Sequence, residues 1–246
     1  MLYKIFRVEA ITRVLAGKIK LIMQLNIDII VYINVKRINI NLLITITEVI
    51  MNSKFGPPST GAEFDKAYSS LLHWMWSDLR IPKELKELVT INKPKNSLEL
   101  GCGLGRFSSF MAEQGIKATG VDFSSIAIEK TQKRIAGKEQ KPTLLVGDVT
   151  NLEMITEKFD VSFDIGCFHC LNEEGQKKYV EEVYRLLKPG AIHLLWALDH
   201  SPSNIRLNPN YISDVFGSHF QLTKSKFSGR RIIFIASHWY WLVRTK

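Results

Sequence analysis

This sequence predicts an α/β fold, a doubly wound parallel sheet with helices on both faces, and three observations carry the prediction. From Lys95 onward, short apolar runs alternate with helical patterns, the arrangement of a parallel sheet covered on both sides. The first run, "SLEL", leads into a loop with glycine at every second position: Gly101, Gly103 and Gly105. The last stretch, "FQLTKSKFSGRRIIFIASHWYWLVRT", reads differently, as two strands around the turn "SGR", an antiparallel hairpin that finishes the sheet.

The chain has 246 residues, enough for one substantial domain or a domain plus an extension, with a real core in either case. Its formal charge of +9 suggests a polyanion or membrane partner until it is located. Residues 1–50 carry seven Lys/Arg against three Asp/Glu, so the remainder holds only +5 and no basic run. Electrostatic capture of a polyanion is therefore not indicated. Three cysteines, Cys102, Cys167 and Cys170, make no disulfide framework and fit a reduced, cytoplasmic setting.

Residues 1–50 are dense in Ile and Asn and show no sustained helical or alternating period. Asp28, Lys36 and Arg37 interrupt the apolar run, leaving less than the roughly 18 to 20 residues a bilayer helix needs, so no membrane span is expected. No small-residue cleavage site follows an apolar core either, as a secretory signal would require. We read 1–50 as an extension outside the functional domain and Met51 as the natural start, with cap helices over 51–94 and the α/β core over 95–246.

Thr60 and Glu63 form a capping-box pattern, and Phe64, Tyr68, Leu71, Leu72, Met75 and Leu79 follow at helical spacing. That helix ends before Pro82, which opens a second short one, "PKELKELV". "SLEL" is a strand and "RFSSFMAEQG" a helix closed by Gly115. "KATGVD" is a strand, and "SSIAIEKTQKRIAG" a helix opened by serine and closed by Gly137. "TLLVGD", "FDVSFDIG" and "AIHLLWAL" are strands. Between the last two, Asn172 caps a helix with acids in its first turn, bases in its last, and a Pro-Gly stop.

In such a sheet, ligands sit beyond the carboxyl ends of the strands, so the residues just after each strand are the informative ones. The glycine loop is at least a tight turn. A dinucleotide fingerprint would need glycine where Arg106 or Ser108 stands, and no Lys-Ser or Lys-Thr pair follows as in a phosphate loop. The loop thus lets a ligand approach the backbone without gripping phosphate. Asp122, seventeen residues beyond Gly105, can accept two hydrogen bonds from vicinal ribose hydroxyls, or it can serve as a charge at the following helix N-terminus. Asp148 in "VGDV" could accept from an exocyclic amine.

"LELGCGLGRF", "GVDFS", "VGDV", "FDVSFDIGCFHCL" and "LLKPGAIHLL", in this order and spacing, resemble the motif series of class I S-adenosylmethionine-dependent methyltransferases over roughly Lys95 to Leu198. The resemblance implies a Rossmann-like seven-stranded sheet with an antiparallel C-terminal hairpin and an N-terminal helical cap. It implies S-adenosylmethionine as cofactor, with Glu99, Gly101, Cys102, Gly103 and Gly105 around its methionine part. Asp122 would meet the ribose, Phe123 one face of the adenine, and Asp148 with Val149 the adenine edge. Gly166 would lie just beyond the fourth strand, under the transferred methyl.

The methyl acceptor depends on that fourth strand and on the capping segments. Cys167, Phe168 and His169 follow the strand end, and "HWMW" supplies Trp74 and Trp76, aromatics able to enclose a small molecule or to serve as plain core. The region is similar to thiol and thiopurine-type small-molecule methyltransferases, and the N-P-P-Y tetrapeptide common among enzymes that methylate nucleic-acid bases is absent. A small-molecule acceptor with a sulfur, oxygen or nitrogen nucleophile is therefore expected, and DNA is not. If a base is needed, His169 is the candidate, because imidazole titrates in the right range; the same residue can equally pack beneath the next helix. Cys167 and Cys170 form C-x-x-C, but without a second ligand pair no metal is expected. Two alternatives remain: an RNA methyltransferase using Lys224, Lys226, Arg230 and Arg231, and a catalytically silent cofactor-binding subunit.

Overall fold

A computed structural model describes residues 60–69, 80–201, 205–229 and 236–246, together with the backbone of three strands in residues 11–34. The chain divides into two compact units, Met1–Gly56 with Gly229–Ile235, and Pro57–Ser228 with Ala236–Lys246. In the first unit, β1 (Ile11–Leu15), β2 (Lys18–Leu25) and β3 (Ile27–Asn34) pair antiparallel in that order, with Ile22 opposite Ile30. No alternating period announced these strands. Their Ile and Val content, favourable to extended backbone, is the signal that was available.

The second unit begins with α1 (Gly61–Ser69), whose capping box is formed: Thr60 N–H donates to Glu63 Oε2 at 3.1 Å and Glu63 N–H to Thr60 Oγ1 at 3.4 Å. Residues 70–79, where the helical pattern continues through Leu71, Leu72, Met75 and Leu79, lie outside the described residues. Next come α2 (Lys83–Asn92), β4 (Asn96–Leu100), α3 (Arg106–Glu113), β5 (Lys117–Asp122), α4 (Ser125–Ile135), β6 (Thr143–Val146), β7 (Phe159–Ile165), α5 (Glu173–Leu186), β8 (Leu187–Leu198), α6 (Pro209–Phe216), β9 (Phe220–Gly229) and β10 (Ala236–Arg244).

The seven strands lie in the order β6-β5-β4-β7-β8-β10-β9. Pairs from β6 through β8 are parallel, and β10 runs antiparallel to β8, with Trp239 opposite Trp196. The chain leaves β4 in one direction for β5 and β6, then crosses back to β7 and β8 on the other side. This reversal opens a crevice at the carboxyl ends of β4 and β7, where a ligand fits.

Alternate residues of the central strands serve two cores. Leu98 and Leu100 pack with Tyr179, Val183, Phe216 and Tyr240 on the α5–α6 side. Val161 and Phe163 pack with Leu85, Met111 and Trp239 on the α2–α3 side. Three local details differ from the sequence reading. The α5 helix ends at Leu186 and β8 starts at once, so Pro189 and Gly190 fall where the β7–β8 register shifts between Phe159 and Val161. The strand β9 runs through Gly229, so Ser228 and Gly229 of the expected "SGR" turn are strand, and residues 230–235 lie outside the described residues. The helix α6 was not foreseen, although Asn208 caps it by accepting from Tyr211 N–H at 2.9 Å and Pro209 opens it. Among the described residues, no helix is long and apolar enough to cross a membrane.

One side chain ties α1 to the sheet unit. Asp65 Oδ1 accepts from Ser124 Oγ at 2.5 Å and Ile126 N–H at 3.1 Å, capping α4 from a neighbouring helix. The Ser124 hydrogen bond, the largest influence, holds this carboxyl below its usual range. Asp65→Ala is expected to cost about 1 kcal/mol in chemical denaturation, the usual worth of a cap, and to speed amide exchange at Ile126.

Candidate functional site

Beyond β4 the chain must turn sharply under a neighbouring loop, and glycine permits it. Gly101 has φ of 69° and a Cβ there would lie 2.9 Å from Cys167 Sγ, while Gly103 has φ of 50° and a Cβ there would collide with the Tyr68 hydroxyl. Both positions combine left-handed backbone with a close approach that a side chain would block. Two buried carboxylates then fix the loop. Glu99 Oε2 accepts from Ser108 N–H at 2.7 Å and from the Ser108 hydroxyl, and Asp122 Oδ2 accepts from Gly103 N–H at 2.6 Å. The other oxygen of Asp122 accepts from Ser124 N–H at 2.9 Å.

A third buried acid shapes the opposite wall. Asp164, at the end of β7, accepts from Gly166 and Cys167 N–H through Oδ1, at 2.9 and 2.7 Å, and from Phe168 N–H and Tyr179 O–H through Oδ2, at 2.8 and 2.9 Å. Tyr179 also meets His193 Nε2 at 3.2 Å, and His193 Nδ1 meets Ser162 Oγ at 2.8 Å. This chain of polar contacts is wholly buried and joins β7, α5 and β8. Burial pushes Asp164 up to about 6 against its four donors, and pushes Glu99 up to about 8.

Between these walls lies a cavity of about 480 Å³, lined by residues that include Phe64, Tyr68, Gly101, Asp122, Phe123 and Asp148. No Lys, Arg or His is among the described lining residues, whereas two aspartates are. Asp148 Oδ1 accepts from Thr150 N–H and Oγ1, both at 2.8 Å. Phe123 is 43% exposed and packs on the Gly61 backbone, where a Cβ would be 2.7 Å from its ring.

Of the residues singled out in the sequence, Gly101, Asp122, Phe123, Asp148, Val149, Gly166 and Cys167 line this cavity. Glu99, Cys102, Gly103 and Gly105 stand behind it and shape the loop; Cys102 packs with Ile128, Ile135 and Leu144 instead. Two residues placed on the substrate side belong elsewhere. Phe168 is fully buried, edge-on to Tyr179 at 5.1 Å, as a core side chain. His169 is buried edge-on to Trp196 at 6.0 Å, its Nδ1 has no hydrogen-bond partner among the described residues, and desolvation lowers it to about 4. So placed, it is a poor general base. Trp74 and Trp76 lie outside the described residues. The lining residues that sequence reasoning missed include Phe64 and Tyr68, which it counted only as an apolar stripe, and Asn172 and Gly175, read only as a helix start.

Residues 98–190 match a family model described as a methyltransferase domain. Norajmaline N-methyltransferase of Rauvolfia serpentina is 32% identical over 124 residues, 48% of this chain and 42% of that protein. The chain thus spans about half the length of the curated relatives it matches. Among solved structures, N-methyltransferase NodS of Bradyrhizobium japonicum in complex with S-adenosyl-L-homocysteine superposes with a TM-score of 0.64 at 14% identity, covering 77% of this chain and all 100% of that one. Magnesium protoporphyrin IX methyltransferase of Synechocystis gives 0.59 at 13% identity, over 75% of this chain and 98% of that one. These likenesses confirm the fold.

The His169 environment makes a pH prediction. An imidazole at about 4 when folded, against 6.5 as its ordinary value, takes up its proton in the unfolded chain first. Its contribution is therefore complete above pH 6.5 and is lost as pH falls toward 4. Between those limits the protein is expected to lose about 3 kcal/mol relative to H169Q in paired denaturant titrations; the titrations of Asp164 and Glu99 cancel in that difference. Residues 98–190 thus match a methyltransferase domain model, and they lie within the seven-stranded sheet described above.

Proposed function

We propose that this protein transfers a methyl group from S-adenosylmethionine to a small-molecule nucleophile by in-line displacement. The observation that carries the reading is the cavity beyond β4, β5 and β7, which is acidic and has no described lysine or arginine in its lining. Such a lining disfavours a phosphate-bearing ligand and suits a cation with ribose hydroxyls and an adenine ring. Asp122, its oxygens each already accepting one N–H, retains lone pairs for the ribose hydroxyls. Phe123 offers its ring to the adenine, and Asp148 Oδ2, with Val149, meets the adenine edge. The glycine loop brings its backbone against the methionine end.

When bound, the cofactor supplies a methyl group already activated by its sulfonium. The chain's own part is then to hold an acceptor in line and exclude water. Burial pushes the Cys167 and Cys170 thiols up, and the Tyr68 phenol as well. These described groups accordingly stay protonated, and none serves as a base near neutral pH. The acceptor arrives as a competent nucleophile, and nitrogen is the atom favoured by the relatives named above as N-methyltransferases. An acidic cavity draws in an amine as its cation, which releases its proton to water before attack. The RNA alternative is weakened at its basic face, since Lys226 pairs with Glu84 at 2.8 Å and Lys224 lies over the Trp241 ring at 4.3 Å.

Calorimetric titration of the full chain with S-adenosylmethionine tests the reading. Binding is expected, weakened by about 1.5 to 3 kcal/mol in Asp122→Ala, the worth of hydrogen bonds to a charged group. A folded protein that binds no cofactor would refute it. Cofactor binding without methyl transfer across an amine, thiol and phenol panel would favour the silent-subunit alternative.

A further inference from the structure

Among the described residues that line the cavity, Tyr68 carries a hydroxyl with no partner in the protein. It sits in the last turn of α1 and lines the cavity, and its hydroxyl lies so close over the glycine loop that a Cβ at Gly103 would strike it. Among the described residues that hydroxyl makes no hydrogen bond; the recorded bond at Tyr68 is to its carbonyl, which accepts from Lys130 Nζ at 2.8 Å. The helix that carries it is anchored twice on α4, by this lysine and by Asp65. The phenol is thus pre-positioned at low entropic cost. Burial first, and then the charge of Asp122, push its pKa up, so it is a donor under ordinary conditions.

What it would donate to follows from what the cavity lacks. Under the functional reading above, the methionine end of the cofactor lies along the glycine loop and brings a carboxylate into a cavity whose described lining has no lysine or arginine. That anion must be met by neutral donors. The Thr150 hydroxyl is already engaged with Asp148, and Asn172, at the entry to α5, spends its Oδ1 on Gly175 N–H at 2.8 Å, which leaves its amide NH2 as the other neutral side-chain donor of the described lining. Tyr68 Oη is the lining hydroxyl left over, and it lies at the glycine loop.

We propose that Tyr68 is a cofactor-binding residue whose hydroxyl donates a hydrogen bond to the carboxylate of the cofactor's methionine end. The proposal rests on the functional reading, and a crossed truncation separates the two. S-adenosylhomocysteine carries that carboxylate; 5′-methylthioadenosine keeps the adenosine and the sulfur but lacks the amino-acid end. Binding of both is measured calorimetrically to the full chain and to Tyr68→Phe, which deletes the hydroxyl and retains the ring. The expected result is a loss of about 10- to 100-fold for S-adenosylhomocysteine, as for a hydrogen bond to a charged group, with methylthioadenosine changed less than about twofold. Equal losses for both ligands would mean that the hydroxyl supports the cavity as a whole without meeting the carboxylate, and no loss for either would mean that it has no role; both overturn the proposal. A wild-type chain that binds neither ligand overturns the functional reading and the proposal with it.

Discussion

The site depends on how backbone N–H groups are satisfied beyond the ends of three adjacent strands. A loop leaving the middle of a buried sheet carries donors that water reaches poorly, and each unmet donor costs free energy comparable to a lost hydrogen bond. Here the acceptors are carboxylates from the strands themselves. Glu99 holds the N-terminal turn of α3, Asp122 holds Gly103 and the entry to α4, and Asp164 holds Gly166, Cys167 and Phe168. Burial of these acids is compensated by the loops they order, and those loops form the walls of the cavity.

From this constraint the electrostatic character of the crevice follows. Acids that pin the loops also face or underlie the cavity, and its described lining has no basic residue to balance them. A cation is favoured there and a polyphosphate is not. The helix α1 closes the same crevice from above through Phe64 and Tyr68, held by Asp65, so an element from the N-terminal cap helps to build the pocket. The buried run Ser162–His193–Tyr179–Asp164 serves the opposite wall, orienting the acid that fixes the loop after β7.

Much of this was legible in the sequence because local chemistry and global fold agree. The alternation from β4 to β8, the left-handed glycines and the capping residues Thr60, Ser124 and Asn172 are short-range signals, and the structure uses each as written. Asp122 and Asp148 were singled out because they stand at strand ends, and both line the cavity. The misses share a cause in tertiary context. His169 and Phe168 follow a strand end as site residues do, yet the short helical turn Phe168–Cys170 rotates both inward. Tyr68 occupies a helical apolar position, and only the packing of α1 against α4 and the glycine loop reveals that its hydroxyl reaches the cavity. Asp164 could be read as a motif letter, but its partner Tyr179 lies fifteen residues away on another element.

The most direct measurement is a crystal structure of the full chain grown with S-adenosylhomocysteine. It is expected to show the ribose hydroxyls on the Asp122 carboxylate, the adenine against Phe123 with its edge at Asp148, and the amino-acid end on the loop from Gly101 to Gly105. A ligand bound elsewhere, or seated in this crevice with Asp122 still turned only to Gly103 and Ser124, would contradict the assignment of the crevice as the cofactor site.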